Sequence, residues 1–225
     1  MLRKRIIFTL IYSDGFFCLS RNFRLQKIGN LNWLQENYNF SKISQYIDEL
    51  IILNASREKK NQNHFLNVVK KLTKSCFMPV AVGGGTNDIE YVNKLMMSGA
   101  DKIVLNTSIF ESSSLVNSIA KKIGNQSIVA SLDLKLNENK KYDIFIKNGS
   151  KKVFMNIKKI VNKISRGPFG EILINSIDRD GTGQGYDLNI LKYLSSNIKT
   201  PVILSGGAGN FKHLLVGLRK KKLML

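Results

Sequence analysis

The chain repeats part of its own sequence at an offset of 122 residues. Residues 48–52, Asp-Glu-Leu-Ile-Ile, return at 170–174 as Gly-Glu-Ile-Leu-Ile, and residues 79–85 return in similar form at 201–207. Self-similarity at so long a period indicates a fold made of two like halves. Each half alternates apolar runs with amphipathic stretches, which is typical of an α/β fold of the (β/α)8 TIM-barrel type, built from two half-barrels. We therefore expect residues 1–225 to form a single barrel domain.

Strands are predicted where Ile, Val and Leu gather in short runs, as expected for parallel strands buried on both faces. The candidates are 5–11, 49–53, 78–82, 102–105, 127–132, 171–174 and 202–204. The clearest helical patterns are 63–72, 88–97, 113–123, 155–164 and 187–194, with Asp88 and Asp187 as candidate N-caps. Residues 13–29 and 135–153 alternate polar and apolar side chains around Gly or Asn. They are predicted to be hairpins on the rim where the strands end.

The repeat predicts an incomplete second half. The counterpart of strand 102–105 would begin near residue 224, and the sequence given ends at Leu225. We therefore expect the last βα unit to be missing, which leaves the first and seventh strands as open edges. Two explanations remain open. The lysines at 220–222 are compatible with slippage in a poly-A coding tract, and the alternative is a naturally short chain that borrows a strand from a partner.

The chain is strongly basic, with 35 Lys and Arg against 16 Asp and Glu and a net charge of +19. Such a charge can serve nucleic acid or acidic membranes. The lysines, however, are scattered over predicted helices and loops, and no stripe of arginines alternates with aromatic residues. We therefore expect neither nucleic acid nor a membrane as a partner. A positive field would still favour phosphorylated or nucleotide-sugar ligands.

Cysteine usage and the N-terminal sequence bear on the compartment. Cys18 and Cys76 match no metal or redox spacing and fit a reducing environment. The basic start followed by an apolar run resembles a signal peptide, but it lacks a small-residue cleavage site and has the length of a strand. We expect a cytoplasmic protein with no metal and no cofactor.

Glycine-rich loops that follow the third and seventh predicted strands are candidate phosphate sites. Glycine lets backbone amides close on a phosphate without a Cβ in the way, and the next helix start adds its positive dipole end. The loop 176–182 after the sixth strand adds Asp178 and Asp180 as candidates for substrate hydroxyls, with a self-capping turn as the alternative. The predicted phosphate- and substrate-binding residues are Gly84, Gly85, Asn106, Thr107, Asp180, Gly181, Gly206 and Gly207.

Asp133 is the best candidate for a general acid or base. It ends an otherwise apolar strand, where partial desolvation raises the pKa of a carboxyl toward neutrality. Acid–base chemistry at both ends of a substrate would use a second carboxylate, and the repeat places Ile11 at that position. A pairwise mechanism is therefore excluded unless Asp14 or another group substitutes.

Charged residues mark the opposite face, at the starts of the strands. Arg5, Glu49, Lys102 and Glu171 could form a ring of salt bridges around the barrel axis that plugs or gates the bore. The alternative is ordinary strand-start charges in water, where such pairs stabilise by about 0–1 kcal/mol.

With these residues assembled, the chain resembles the cyclase subunit of imidazole glycerol phosphate synthase. That family of TIM-barrel lyases takes ammonia from a glutaminase subunit docked on the bottom of the barrel. The ammonia passes to the top, where a ribulose-phosphate intermediate is cleaved and cyclised for histidine and purine metabolism. The resemblance implies that Arg5, Glu49, Lys102 and Glu171 are an ammonia gate, and that Asp101 belongs to the glutaminase docking face. The motifs are Arg5-Ile-Ile, Asp14-Gly, Asn22-Phe, Val82-Gly-Gly-Gly, Gly99-Ala-Asp-Lys, Ser176-Ile-Asp-Arg-Asp-Gly-Thr, Gly185-Tyr-Asp and Ser205-Gly-Gly-Ala-Gly.

The departures from the family suggest a different use. Asp133 matches one catalytic aspartate, but Ile11 replaces the other, Leu19 stands where the family has a substrate-binding lysine, and Asn54 replaces an aspartate. This combination is similar to the family's paralogues in surface-polysaccharide gene clusters. It implies that ammonia is delivered for amidination of a nucleotide-linked sugar by a separate enzyme. Two alternatives stay open: a cyclase subunit of histidine biosynthesis, and a non-functional truncated paralogue.

Overall fold

The computed structural model describes residues 4–56, 61–194, 198–220 and 223–224. Within these ranges, twelve strands belong to one sheet. The strands are β1 Ile7–Ser13, β2 Phe16–Arg21, β3 Arg24–Gly29, β4 Glu49–Asn54, β5 Val80–Gly83, β6 Lys102–Leu105, β7 Ile128–Leu136, β8 Tyr142–Ile146, β9 Lys151–Val153, β10 Glu171–Ser176, β11 Val202–Ser205 and β12 Leu223–Met224. The α-helices are α1 Leu31–Asn37, α2 Phe40–Ile43, α3 Gln62–Ser75, α4 Ile89–Met97, α5 Thr107–Glu111, α6 Ser113–Ile123, α7 Ile157–Arg166 and α8 Phe211–Leu218.

Eight strands run parallel in the order β1, β4, β5, β6, β7, β10, β11 and β12. Helical crossovers join these strands over most of the sheet, as in the curled sheet of a partly complete TIM barrel. The predicted fold class is therefore confirmed. The two predicted hairpins are present as well: β2 and β3 extend antiparallel from β1, and β8 and β9 extend from β7.

The expected incomplete second half needs one refinement, because a short eighth parallel strand is present. β12 pairs in parallel with β11, with Leu223 opposite Val202 and Met224 opposite Ile203. Its start lies within one residue of the position that the repeat predicts. Within the described ranges β12 stands at one end of the strand order and has no pairing with β1. A hydrogen bond from Nζ of Lys4 to the carbonyl of Lys220 links the chain before β1 to the chain before β12.

One predicted helix has a different geometry. Residues Leu188–Tyr193, expected to be α-helical, form a 3-10 helix. Both predicted N-caps are confirmed, because Asp187 accepts a hydrogen bond from the amide of Asn189 at 3.2 Å and Asp88 accepts one from the amide of Tyr91 at 2.7 Å. Each carboxylate satisfies an amide of the first turn that has no partner inside its own helix.

The strands bury apolar side chains on both faces. One face packs under the helices, and the other meets at the barrel axis, because successive side chains of a strand point to opposite sides. The inner cluster is small: Ile51, Ala81, Val104, Val129, Leu173 and Ile203, with Ile7 and Leu53 packed against it. Ile11 lies two alternations beyond Ile7 on β1, so it faces the same interior side nearer the strand end.

Candidate functional site

The ring of charges predicted at the strand starts is present. Arg5 contacts both carboxylates, with 2.6 Å from Nη1 to Oε2 of Glu49 and a close contact to Glu171. Nζ of Lys102 lies 2.9 Å from Glu49 and 3.0 Å from Glu171. Two cations and two anions therefore alternate around one axis. The ring closes the bottom of the barrel, and the inner apolar cluster lies directly above it.

Burial makes this ring unlike a surface ion pair. The side chain of Glu49 is only 1% exposed. Burial raises the pKa of Glu49 above its ordinary value, and Lys102 and Arg5 act in the opposite direction. Removing one partner from a buried pair leaves an uncompensated charge, which is strongly destabilising. That these four residues gate ammonia remains a prediction.

At the other end of the strands, Asp133 is held by two asparagine side chains. Asn175 Nδ2 donates to Oδ1 at 2.9 Å, and Asn106 Nδ2 donates to Oδ2 at 3.3 Å. Asp133 and Asn175 are register partners on the adjacent strands β7 and β10. The bond from Asn175 therefore follows from strand pairing and needs no long reach. Asn106 comes from the residue after β6, on the other side of Asp133.

Desolvation dominates the electrostatics of this carboxyl. Asp133 is 6% exposed. Burial raises its pKa from 3.8 to about 6, while the hydrogen bond from Asn175 lowers it and the charge of Asp180 raises it slightly. A carboxyl with such a pKa can exchange protons near neutral pH, which is what a general acid or base requires. Asp133 is therefore buried, as expected, and its role as a general acid or base remains a prediction.

The equivalent position in the first half is apolar. The repeat relates Ile11 to Asp133 and Leu53 to Asn175, and Ile11 and Leu53 are register partners on β1 and β4. A hydrogen-bonded polar pair on one side of the mouth therefore faces a hydrocarbon pair on the other. The structure provides no ionisable side chain at the position of Ile11.

The loop after β10 holds the first hairpin. The carboxylate of Asp180 accepts hydrogen bonds from the hydroxyl of Ser20 at 2.5 Å and from the amide of Phe23 at 3.0 Å. Asp178 accepts one from the amide of Leu136 at 2.6 Å. These carboxylates thus bind protein groups of the two hairpins. The alternative prediction, a turn whose carboxylates bond only within the turn itself, is therefore wrong. Substrate binding by Asp180 remains a prediction.

The second hairpin reaches across the same rim. The side-chain amide of Asn148 donates to the carbonyls of Ala55 and Ser56, at 3.0 and 3.4 Å. The amide of Lys147 donates to Oγ1 of Thr107 at 3.2 Å, so this predicted phosphate ligand already has a partner. A Cβ placed on Gly149 would lie 2.9 Å from the ring of Phe23, which puts the tips of the two hairpins in contact.

The glycine loops are shaped by close backbone approach. A Cβ on Gly84 would lie 2.1 Å from the carbonyl oxygen of Asn54, and one on the equivalent Gly206 would lie 2.8 Å from that of Ser176. Gly85 and Gly207 also have positive φ, +71° and +99°. Packing alone therefore accounts for glycine at 84 and 206. Near the two loops, the buried hydroxyls of Thr86 and Ser176 have no hydrogen-bond partner among the described residues, and phosphate binding here stays a prediction.

The remaining predicted residues lie in different parts of the barrel, and of these Asn54 ends strand β4 at the mouth. Asp101 is exposed at the bottom, where its carboxylate accepts a hydrogen bond from the amide of Val80 at 2.8 Å. Leu19 is 61% exposed on the first hairpin. Asn54 is buried and accepts hydrogen bonds from Ser56. The described part of the chain holds no cluster of three His, Cys, Asp or Glu side chains that could bind a metal ion, and none of its helices has the length and apolar character needed to cross a bilayer.

The sequence analysis missed three contributors to the site: Asn175, Ser20 and Asn148. Asn175 had a usable signal, because the repeat sets it opposite Leu53 at the same distance from the strand start. A polar residue whose counterpart is apolar indicates a local polar contact. Ser20 and Asn148 gave no comparable signal, because hairpin tips are rich in such residues for reasons of turn geometry.

A parallel sheet with helical crossovers, a two-fold sequence repeat and a buried carboxyl at the strand ends define an α/β barrel of the TIM class. Residues 35–223 match the family described as histidine biosynthesis protein. The chain belongs to this family, and within it to the cyclase subunits of imidazole glycerol phosphate synthase.

Three relatives illustrate the match. The chain is 45% identical over 218 residues to the "Putative imidazole glycerol phosphate synthase subunit hisF2" of Parasynechococcus marenigrum, covering 97% of this chain and 81% of that protein. It is 35% identical over 218 residues to the imidazole glycerol phosphate synthase subunit HisF of Chloroherpeton thalassium, covering 96% and 85%. It is 36% identical over 221 residues to the subunit HisF of Pelodictyon phaeoclathratiforme, covering 98% and 86%.

Proposed function

We propose that the chain is the ammonia-conducting barrel subunit of a glutamine amidotransferase assembly and that it does not cyclise a substrate efficiently by itself. The observation that carries the proposal is the contrast between the two ends of the barrel. The charged ring of Arg5, Glu49, Lys102 and Glu171 is complete at the bottom. At the top, Ile11 and Leu53 stand opposite the polar pair Asp133 and Asn175.

The bottom of the barrel suits selection of a neutral molecule. An ammonium ion that approaches the ring meets the cations of Arg5 and Lys102, whose carboxylate partners are already engaged. Above the ring lies the apolar cluster that includes Ala81, Val104 and Val129, which would desolvate a charge at high cost. Neutral ammonia carries a far smaller desolvation cost. The names of the relatives describe one subunit of a synthase, which supports a partner subunit. The resemblance implies that this partner is a glutaminase, docked on the face that carries Asp101, and that it is the source of the ammonia.

The top of the barrel supports the absence of efficient cyclisation. Proton transfer at two ends of a substrate needs two ionisable groups within hydrogen-bond reach. Asp133 supplies one, with a pKa of about 6. The position related to it by the repeat carries Ile11, whose hydrocarbon side chain cannot exchange a proton. A positioned general acid or base contributes about 10²–10⁴-fold to rate, so its loss predicts a correspondingly slow reaction.

The direct test supplies free ammonium and the ribulosyl aminoimidazole precursor to the purified chain and measures imidazole product. We expect a rate at least about 100-fold below that of a relative with two aspartates assayed in parallel. Asp133→Asn is the matched control, because residual product that persists in this variant comes from contaminating enzyme. Turnover by the unaltered chain at the relative's rate would refute the proposal.

A second experiment tests the assembly. A glutaminase encoded beside this chain is assayed for glutamate release with and without the chain, and we expect the chain to stimulate it. Asp101→Asn keeps an acceptor for the Val80 amide but removes the charge, so it is expected to weaken stimulation. Glu138→Gln removes an equal charge from an exposed residue of the β7–β8 loop and is expected to have no effect. If the unaltered chain does not stimulate the glutaminase, the proposal that it conducts ammonia is contradicted.

The second candidate is an authentic cyclase of histidine biosynthesis. The raised pKa of Asp133 and the names of the relatives favour it. Complementation of a histidine auxotroph that lacks the cyclase subunit separates the two functions. Growth supports the cyclase and contradicts our leading proposal. Amidination of a nucleotide-linked sugar by a separate enzyme is an inference from the resemblance to polysaccharide-cluster paralogues alone.

A further inference from the structure

We propose that the outer surface formed by helices α6 and α7 docks on an anionic lipid bilayer, independently of the chemistry at the barrel mouth. This α6–α7 surface consists of six cations with two apolar side chains at one end. The cations are Lys121, Lys122, Lys158, Lys159, Lys163 and Arg166, and the apolar side chains are Phe154 and Met155.

The sequence suggested scattered lysines and no membrane partner, and the proposal revises that expectation because the fold brings lysines of separate segments to one surface. Residues 112–170 contain 12 Lys and Arg but only 3 Asp and Glu, of which Asp133 is buried in the barrel mouth. α6 connects β6 to β7, and α7 leads from the second hairpin to β10. Because β6, β7 and β10 are neighbours in the sheet, right-handed crossovers put these two helices in successive positions on its outer face.

On α7 the apolar side chains and the cationic side chains lie on opposite sides of the helix. Its buried side is Ile157, Ile160, Val161 and Ile164, and its exposed side carries Lys158, Lys159, Asn162, Lys163 and Arg166. Neither α6 nor α7 contains an acidic residue. Within the described ranges, none of the six cations of the surface forms an ion pair. Their charges are therefore available to a partner.

Two exposed apolar side chains lie next to these cations. Phe154 is 92% exposed and Met155 is 39% exposed, immediately before α7 begins. Nζ of Lys152 lies 5.4 Å from the centre of the Phe154 ring. An aromatic ring that projects among lysines is the arrangement by which peripheral proteins enter the boundary between headgroups and acyl chains.

The composition of the surface favours a bilayer over other polyanions. A single-stranded nucleic acid needs successive aromatic platforms, and this surface has one aromatic ring. The 11 lysines and one arginine of 112–170 provide point charges that suit a diffuse negative potential, and not the forked donors that recognise individual phosphates. Protein interfaces have an apolar centre depleted of charge, whereas here the apolar pair lies at the edge.

The test is sedimentation of the full chain with phosphatidylcholine vesicles that contain or lack phosphatidylserine, at about 0.1 M salt. We expect binding only to the anionic vesicles. Each cation near such a surface contributes about fivefold to binding. The triple variant Lys158→Gln, Lys159→Gln, Lys163→Gln is therefore expected to bind on the order of 100-fold more weakly.

The matched control is Lys70→Gln, Lys71→Gln, Lys74→Gln on α3, where three exposed lysines also follow one helix. Both triples leave the same net charge, so a much smaller loss in the α3 triple supports the proposal. Equal losses of vesicle binding in the two triple variants would show that net charge alone attracts the chain, and they would overturn the proposal. Absence of binding to anionic vesicles would also overturn it. Release of the chain from vesicles by a stoichiometric amount of RNA homopolymer overturns it in favour of nucleic acid.

A fluorescence experiment tests the contact of the apolar pair. Phe154→Trp is made in a Trp33→Phe background, so that position 154 carries the one indole of the chain. Anionic vesicles are expected to shift its emission to shorter wavelength, and vesicles of phosphatidylcholine alone are not. Binding without any shift contradicts docking through the Phe154 end. Thermal unfolding of every variant shows that loss of binding does not come from loss of fold.

Discussion

The side-chain amide of Asn175 donates a hydrogen bond of 2.9 Å to the carboxylate of Asp133, its register partner on the neighbouring strand. The same places in the first half of the chain carry Leu53 and Ile11, which also pair in register. One mouth therefore has a buried acid with a tuned pKa on one side and hydrocarbon on the other. The two halves of the barrel are alike in backbone but differ at these positions, and this difference affects both the stability and the chemistry of the chain.

Replacing Asn175 should change the ionisation of Asp133. Asn175→Leu removes a hydrogen bond that favours the charged carboxylate, so the pKa of Asp133 should rise above about 6. Carboxyl carbon shifts in an NMR titration measure it. Asn106→Leu removes the longer bond of 3.3 Å and should give a smaller change. An unchanged or lowered pKa in Asn175→Leu contradicts this account.

Asp133 should also make stability depend on pH. Its pKa is about 6 in the folded chain against 3.8 ordinarily, so the folded state binds more protons between these values. The contribution of Asp133 to the free energy of unfolding is therefore fully present below about pH 4. It is lost as the pH rises through about 6, and the total loss is about 3 kcal/mol. Asp133→Asn should remove this fall, giving higher stability than the unaltered chain near pH 8 but no gain near pH 4. Urea unfolding measures both. Glu138→Gln, at an exposed position, should leave the pH profile unchanged.

The charged ring should be sensitive to loss of one member. Glu49→Leu leaves Glu171 as the one carboxylate that pairs with Arg5 and Lys102 among the residues that the structure describes, in a site where Glu49 is 1% exposed. We expect a loss of about 3–5 kcal/mol in the free energy of unfolding. The comparison is Glu90→Leu, which breaks the exposed pair of Glu90 with Lys94. If both variants unfold at the same urea concentration, the ring does not stabilise the fold.

Gly181, in the loop 176–182, and Gly183, just after it, allow the cost of backbone strain to be measured separately from the cost of close packing. Gly181 and Gly183 have φ of +66° and +67°, but a Cβ on Gly181 would lie 1.9 Å from the carbonyl oxygen of Ser20, whereas one on Gly183 would lie 3.8 Å from its nearest neighbour. Both alanine variants should lose about 1–2 kcal/mol from the left-handed conformation. Gly181→Ala should lose more, and should also release the hairpin Phe16–Gly29 to limited proteolysis. Identical behaviour of the two variants would show that the hairpin does not depend on this approach.

The sequence by itself determined the frame of this protein. Short continuous apolar runs predicted seven strands, polar–apolar alternation predicted two hairpins, and the repeat of 122 residues related the two halves. The charges at the strand starts predicted the ring, because the starts of paired parallel strands lie at the same end of the sheet. It also identified Asp133 as a buried acid. Short-range signals failed at residues 187–194, where an Asp cap and an apolar pattern suit a 3-10 helix as well as an α-helix.

Tertiary structure alone decided which polar groups meet. Asn175 and Asn106 converge on Asp133 from two strands, and Asp180 binds a hairpin more than 150 residues away in the chain. The α6–α7 surface likewise exists only because neighbouring crossovers bring lysines of separate segments together. The physical reason is that apolar periodicity is a local property of the chain. A hydrogen bond, a desolvated carboxyl or a charged surface depends on which distant groups the closed sheet makes neighbours.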